Sequence, residues 1–185
     1  MRIVTKTFLA TLTLFISIMV SAQAFGFEVD GFKYNVIDGT TTVEIAGRAS
    51  GNDATDIVIP SSVTDSGITY AVTAFADSAF NDPFPQPAIT SVTIPDSITE
   101  IGYQAFRRNK LTSVTIPDSV TTIGSQAFYD NNDTSNKNTL TSVTIGNSVT
   151  TIGEHAFERN TELTSVTIGN GVTTIEKSAF SYTGL

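Results

Sequence analysis

LTSVTIPDSVTTIGSQAF, residues 111–128, decides the fold, because the chain writes this phrase four times. ITSVTIPDSITEIGYQAF stands at 89–106, LTSVTIGNSVTTIGEHAF at 140–157 and LTSVTIGNGVTTIEKSAF at 163–180. The leading aliphatic residues, Ile89, Leu111, Leu140, Leu163 and then Leu185, are spaced by 22, 29, 23 and 22 residues. A recurring period of about 20–50 residues is the mark of a solenoid, in which each unit buries its apolar face only against its neighbours.

Within residues 111–128 the apolar positions are Leu111, Val114, Ile116, Val120, Ile123, Ala127 and Phe128. Val114 and Ile116 alternate with Ser113 and Thr115, the two-residue period of a strand with one buried face. The β-branched Thr and Val favour strand over helix. Pro117-Asp118-Ser119, replaced by Gly146-Asn147-Ser148 in the third unit, is turn chemistry that ends the strand. A shorter extended piece follows over residues 120–123, and Gln126-Ala127-Phe128 reads as a single helical or 3-10 turn that plugs Phe128 into the core. Phe106, Phe128, Phe157 and Phe180 then form an internal column.

The motif L-x-S-V-T-I-P-x-S-V-T-x-I-G-x-x-A-F, matched almost letter for letter by residues 111–128, resembles the BspA-like leucine-rich repeat proteins of bacterial and protist cell surfaces. The resemblance covers residues 54–185. It agrees with the mostly β fold that the residues predict: a leucine-rich-repeat-type solenoid of about 22–23-residue coils (strand, turn, short strand, helical or 3-10 turn), with an N-terminal β-meander cap. Ser97, Ser119 and Ser148, with Gly171 in the last unit, stand where commoner leucine-rich repeats place an Asn ladder. The resemblance therefore implies a different inner hydrogen-bond network. In some members of this family it also implies attachment to host or matrix proteins.

Residues 1–24 carry Arg2 and Lys6, an apolar run from Phe8 to Val20, and Ala22-Gln23-Ala24. That pattern is a secretory signal peptide cleaved after Ala24. The competing reading, an uncleaved anchor, needs about 20 predominantly apolar residues, and this run is shorter and interrupted by Thr and Ser. With Arg2 and Lys6 gone, 8 basic residues face 18 acidic ones, a net charge of −10 over 161 residues. Such a surface repels nucleic acid and anionic lipid. Cysteine is absent, so no disulfide framework and no lipoprotein anchor is expected, and the stacked core must supply the stability.

Residues 25–53 read as the cap and connector. Strand-like pieces meet at Asp30-Gly31 and Asp38-Gly39, tight-turn dipeptides. The solenoid occupies 54–185. Its first unit, opening at Ala54, is atypical: Thr64 to Ala71 is an insertion whose Asp65-Ser66-Gly67 predicts a hairpin. Residues 81–88 hold Pro83, Pro85 and Pro87 and form a loop that cannot join a ladder. A second insertion fills 129–139. Leu185 opens a further unit, so the last coil is expected to expose Val166, Ile168, Val172, Ile175 and Phe180 unless more chain or a partner covers them.

Catalysis has little support in these residues, and no cofactor or metal is implied. Asp130, Asn132, Thr134 and Asn136 alternate as calcium ligands do, but Ser135 replaces the required Gly and Thr141 the bidentate Glu, so a solvated loop is the better reading. Asp96 and Asp118 could share a cation between coils, yet Asn147 and Asn170 take their place later. His155, the single histidine, has Gln104, Gln126 and Lys177 as its equivalents and no oriented partner. The feature that stands out is a ladder: Ser91 and Thr93, Ser113 and Thr115, Ser142 and Thr144, Ser165 and Thr167 flank the buried Val of each strand. These eight hydroxyls form the candidate binding face, a flat two-column array. Sheet propensity alone could explain them. As a site they suit an extracellular protein or glycan, and they resemble the Thr-x-Thr ladders of ice-binding solenoids. The expected function is a secreted or cell-surface repeat protein, not an enzyme, that binds proteins or surfaces and serves in adhesion. The alternatives are a structural stalk, or ice or polysaccharide binding through the ladder.

Overall fold

A computed structural model describes residues 26–81, 87–131 and 140–185. The signal-peptide reading and most of the calcium-like loop lie outside these residues. Fourteen strands and no helix make up the described structure. The chain opens as the meander its turns predict: β1 (Gly26–Val29), β2 (Phe32–Val36) and β3 (Thr42–Arg48) pair antiparallel in order. Beside them, β5 (Ser62–Asp65) and β6 (Ile68–Phe75) form the expected hairpin. Its two-residue loop, Ser66 at φ 49° and Gly67 at φ 83°, has the two positive φ angles of a type I′ turn.

The solenoid grows from β6. One wall is a parallel stack of β6, β8 (Glu100–Ile101), β10 (Thr122–Ile123), β12 (Thr151–Ile152) and β14 (Thr174–Ile175); joined through β3 to the meander, it belongs to a nine-stranded sheet. The other wall carries the Ser-Val-Thr strands: β7 (Ser91–Thr93), β9 (Ser113–Ile116), β11 (Ser142–Ile145) and β13 (Ser165–Ile168). β9, β11 and β13 stack parallel in one sheet. β7 pairs instead with β4 (Asp56–Val58), Ile57 opposite Val92, so the Ala54 unit is a repeat coil in register with the next.

The third side of each coil departs from expectation. The Gln-Ala-Phe segment is a run of β-turns, not a helical or 3-10 turn. In the first regular coil Ala105 N–H donates to the Gly102 carbonyl at 3.3 Å and Arg107 N–H to that of Gln104 at 3.2 Å, closing two turns. The intervening N–H groups point along the solenoid: Gln104 to Ser125, Phe106 to Ala127 and Arg108 to Tyr129, at 2.8 to 3.0 Å. Gln104, Gln126, His155 and Ser178 all adopt φ of 56–60°, the positive third-position angle of a type II turn, and one such residue per coil prevents a helix. This column also corrects the repeat alignment, since Ser178 and not Lys177 is the equivalent of His155.

The core is continuous from Phe32 in the meander to Ala179 in the last coil. Phe106, Phe128, Phe157 and Phe180 stack face to face with centroids 5.2–5.3 Å apart and ring planes within 4°. Phe80 and Phe75 begin the column, and Phe32 meets Phe80 edge-on at 6.2 Å. Such tight stacking needs small residues where backbones meet. A Cβ on Gly124 would lie 2.7 Å from the backbone carbon of Gly102, which only glycine avoids. In the last coil Ile168 and Ile175 are 41% and 51% exposed, against 1% and 0% for Ile116 and Ile123.

Tyr34 sits fully buried within the meander, stacked on Phe27, and its hydroxyl has no hydrogen-bond partner among the described residues. Burial, with the charge of Asp30 adding to it, pushes its phenol up to about 12. The unfolded phenol ionises near 10, so this stabilising preference for the neutral form is complete below pH ~10 and is lost as pH rises towards 12. Alkaline titration of stability is therefore expected to show a fall in that window, and Tyr34→Phe should remove that part of the fall while leaving stability at neutral pH little changed.

Candidate binding face

Alternation carries the face. Val114 and Ile116 point inward and are buried, while Ser113 and Thr115 point outward and are exposed. The ladder register then aligns the columns: Ser113, Ser142 and Ser165 are partners, and so are Thr115, Thr144 and Thr167. All six are exposed save Ser142, which is half-buried. Their hydroxyls make no hydrogen bond within the described residues.

Ser91 and Thr93 stand apart from this array. Their strand belongs to the separate β4–β7 pair, where Ser91 faces Asp56 and Thr93 faces Val58. The join to the next coil is made before the strand begins, by Lys110 N–H to the Ile89 carbonyl at 2.8 Å and Thr112 N–H to that of Thr90 at 3.3 Å. Ser91 is also engaged: its hydroxyl donates to Asp56 Oδ1 at 2.8 Å, and Thr90 Oγ1 donates to the same oxygen at 2.9 Å. The hydroxyls of Ser91 and Thr90 hold the Asp56 carboxyl below the usual carboxylate range. The eight-residue ladder is thus a six-residue sheet face plus a flanking pair of which Ser91 is tied to Asp56.

Along one edge of the six-residue face runs an open groove of about 780 Å³. Thr115, Thr144 and Thr167 form one wall, and the turn residues Asp96, Asp118 and Asn147 form the other. The turn side chains are braced between coils. Asp118 Oδ1 accepts the Asn147 N–H at 2.6 Å, and Asn147 Oδ1 accepts the Asn170 N–H at 3.2 Å.

Sequence reading did not find the network that holds this face rigid. Asn109, Asn131 and Asn160, three residues after Phe106, Phe128 and Phe157, are buried and form an Asn ladder at a position other than that of Ser97, Ser119 and Ser148. Asn109 Oδ1 accepts from Ile89 N–H at 2.9 Å, and its Nδ2 donates to the Phe80 carbonyl at 2.7 Å. Asn131 repeats the pattern on Asn109 N–H and the Phe106 carbonyl, and Asn160 donates to the Phe128 carbonyl at 3.0 Å. The Ser97 and Ser119 hydroxyls, by contrast, are buried without a partner among the described residues. The Phe-x-x-Asn tetrapeptides FRRN, FYDN and FERN were the visible signal. A second column, Thr99, Thr121, Thr150 and Thr173, donates both N–H and Oγ1 to the carbonyl of the previous coil.

His155 differs from expectation too. Its Nδ1 meets Glu158 Oε2 and its Nε2 lies 3.2 Å from Glu154 Oε1, so it has oriented carboxylate partners. Nearby, Arg107 and Arg159 lie over the Tyr129 ring at 5.4 and 5.8 Å, and Arg108 pairs with Asp130 at 3.8 Å. Burial raises the Asp130 carboxyl above its usual range despite the pull of Arg108, Arg159 and Arg107. Among the described residues, no group of three His, Cys, Asp or Glu is placed to hold a metal ion, and no helix is long and apolar enough to cross a membrane.

Stacked coils with in-register parallel strands, a phenylalanine column and an Asn ladder define a repeat solenoid whose outer sheet is open and polar. Residues 73–185 match the BspA type leucine-rich repeat region in six copies, and the chain belongs to that family. Among solved structures it is similar to a leucine-rich cell surface protein from Faecalibacterium prausnitzii, with 29% identity, a TM-score of 0.64, and coverage of 90% of this chain and 48% of that one. The pneumococcal vaccine antigen PcpA shares the fold at 20% identity and a TM-score of 0.66, over 85% of this chain and 42% of its own. A leucine-rich repeat protein from Bacteroides capillosus does so at 24% identity and 0.52, over 85% and 91%. The chain thus spans about half the length of the first two. No curated protein matches it.

Proposed function

We propose that this chain is a secreted or cell-surface binding repeat that captures an extracellular macromolecule on its outer Ser/Thr face, in the service of adhesion and without enzymatic chemistry. The observation that carries the reading is the set of six in-register side chains on β9, β11 and β13, whose hydroxyls bond to nothing among the described residues. Stacked repeats create extended binding surfaces, and in-register rows of unengaged hydroxyls offer one on which the same contact recurs along the stack. Family membership and the Faecalibacterium cell-surface relative support the location. In this reading the meander over residues 25–53 caps the solenoid and the coils from residue 54 carry the array.

The test is a binding screen of the purified chain against immobilised extracellular-matrix proteins and glycans, alongside a Thr115→Arg, Thr144→Arg double variant. Saturable binding that weakens about tenfold or more in the folded variant, about 1.4 kcal/mol per decade, is the expected result. Binding that ignores the two arginines would move the site elsewhere.

A further inference from the structure

The groove beside the face narrows the chemistry of the partner. We infer that it accepts a linear, uncharged polysaccharide lying along the solenoid axis across β9, β11 and β13, an assignment that rests on the proposed binding role of that face.

Shape is the first argument. The groove, about 780 Å³, falls within the size range of ligand sites, about 300–1,000 Å³, but it runs across coils instead of into the core. Two successive coils contribute the same pair to it, Thr115 with Asp118 and Thr144 with Asn147, and the coils on either side extend the walls with Asp96 and Thr167. Coils repeat at the strand spacing of about 4.7–4.9 Å. A pyranose ring in a linear chain advances by a comparable distance, so one sugar meets one coil and the contacts recur in phase.

Hydrogen-bonding capacity is the second. A polyhydroxylated chain needs donors and acceptors side by side. Thr hydroxyls supply both, Asp118 supplies acceptors, and the Asn147 amide supplies both. Because Asp118 and Asn147 are already anchored by backbone N–H groups of the next coil, their free atoms are fixed in position before the ligand arrives.

Charge and relief select against competitors. Asp96 and Asp118 are the charged side chains on the groove, in a chain of net charge −8, so sulfated or uronate polymers are repelled. Protein partners anchor through large apolar or aromatic side chains in closed pockets. Here Ile116 and Ile145 turn inward, Ile168 being the exposed apolar side chain at one end of the groove; β11 is paired on both sides, and the unpaired edges of β9 and β13 lie at the ends of the sheet and not along the groove, which crosses the strands.

The experiment is titration of the full purified chain with uncharged glucan and mannan oligosaccharides of increasing length, and with sulfated and uronate oligomers of matched length. Thr144→Arg fills the middle of the groove, and Thr64→Arg, on the N-terminal hairpin, serves as a control. The expected result is binding of uncharged oligomers that tightens with each added sugar until the three coils of the sheet are spanned, then levels. It should be lost in Thr144→Arg and kept in Thr64→Arg. No binding of uncharged oligomers, a preference for anionic ones, or binding indifferent to Thr144→Arg would each overturn the inference. Should matrix proteins bind through the face while uncharged sugars do not, only this inference falls. Should no ligand of either class respond to arginines on the face, the binding role falls with it.

Discussion

Asn109→Leu is expected to lower the unfolding free energy by about 3–5 kcal/mol. Leucine matches the shape but abandons the Ile89 N–H and the Phe80 carbonyl, which Asn109 satisfies at 2.9 and 2.7 Å in a fully buried setting. Each buried group left without a partner costs about 1–3 kcal/mol. The side-chain carbonyl oxygen of Asn131 keeps its bond to the Asn109 main chain, so the ladder is cut at one rung only. Ser119→Ala is the matched control. The Ser119 hydroxyl is buried and bonded to nothing among the described residues, so removing it is expected to shift stability by no more than about 0.5 kcal/mol, in either direction. Urea unfolding of both variants reads the contrast directly: the midpoint of Asn109→Leu falls, its slope stays, and that of Ser119→Ala barely moves. Equal midpoints for the two would show that the Asn ladder holds no special weight.

Phe128→Ala is expected to cost about 3–5 kcal/mol, the usual range for truncating a buried aromatic side chain. Phe128 is wholly buried and sandwiched between Phe106 at 5.3 Å and Phe157 at 5.2 Å. Its loss leaves a gap that the flanking rings cannot close, because each is held by the hydrogen-bonded turns of its own coil. Phe180→Ala, at a site already partly exposed, should cost only about 1–2 kcal/mol. Chemical unfolding followed by far-ultraviolet circular dichroism separates the two. A larger loss at Phe180 would mean that stability is concentrated in the last coil and not shared along the column.

Both variants bear on the binding face without touching it. The Ser-Val-Thr strands are short, four residues in β9, β11 and β13, and their flatness depends on coils held at one spacing. The Asn ladder, the Phe column and the Thr99 column each fix that spacing from a different side of the coil. A variant that loosens one of them should weaken ligand binding through misregister of the hydroxyl columns, even where the face itself is intact.

What residues 111–128 and their copies determined by themselves was everything with a short period. Alternating Val and Ile fix which side chains face the core, Asp-Gly and Asp65-Ser66-Gly67 set the tight turns, and the recurrence of the same phrase dictates that Thr115 will stack on Thr144. These are local rules, and a neighbouring residue is enough to enforce them. Tertiary structure decided the rest. Positive φ at Gln104, Gln126, His155 and Ser178 turned an expected helical turn into paired β-turns, because only that geometry aims alternate N–H groups at the next coil. The Asn ladder was written in FRRN, FYDN and FERN, yet its partners lie 25 to 32 residues away in sequence, at the Phe carbonyl of the coil before. The same distance hid the Asp56 carboxyl that engages Ser91, and the groove that exists only where several coils lie side by side. Hydrogen bonds between coils depend on how far one coil is offset from the next, and that offset is settled by packing across the whole stack, not by any one repeat.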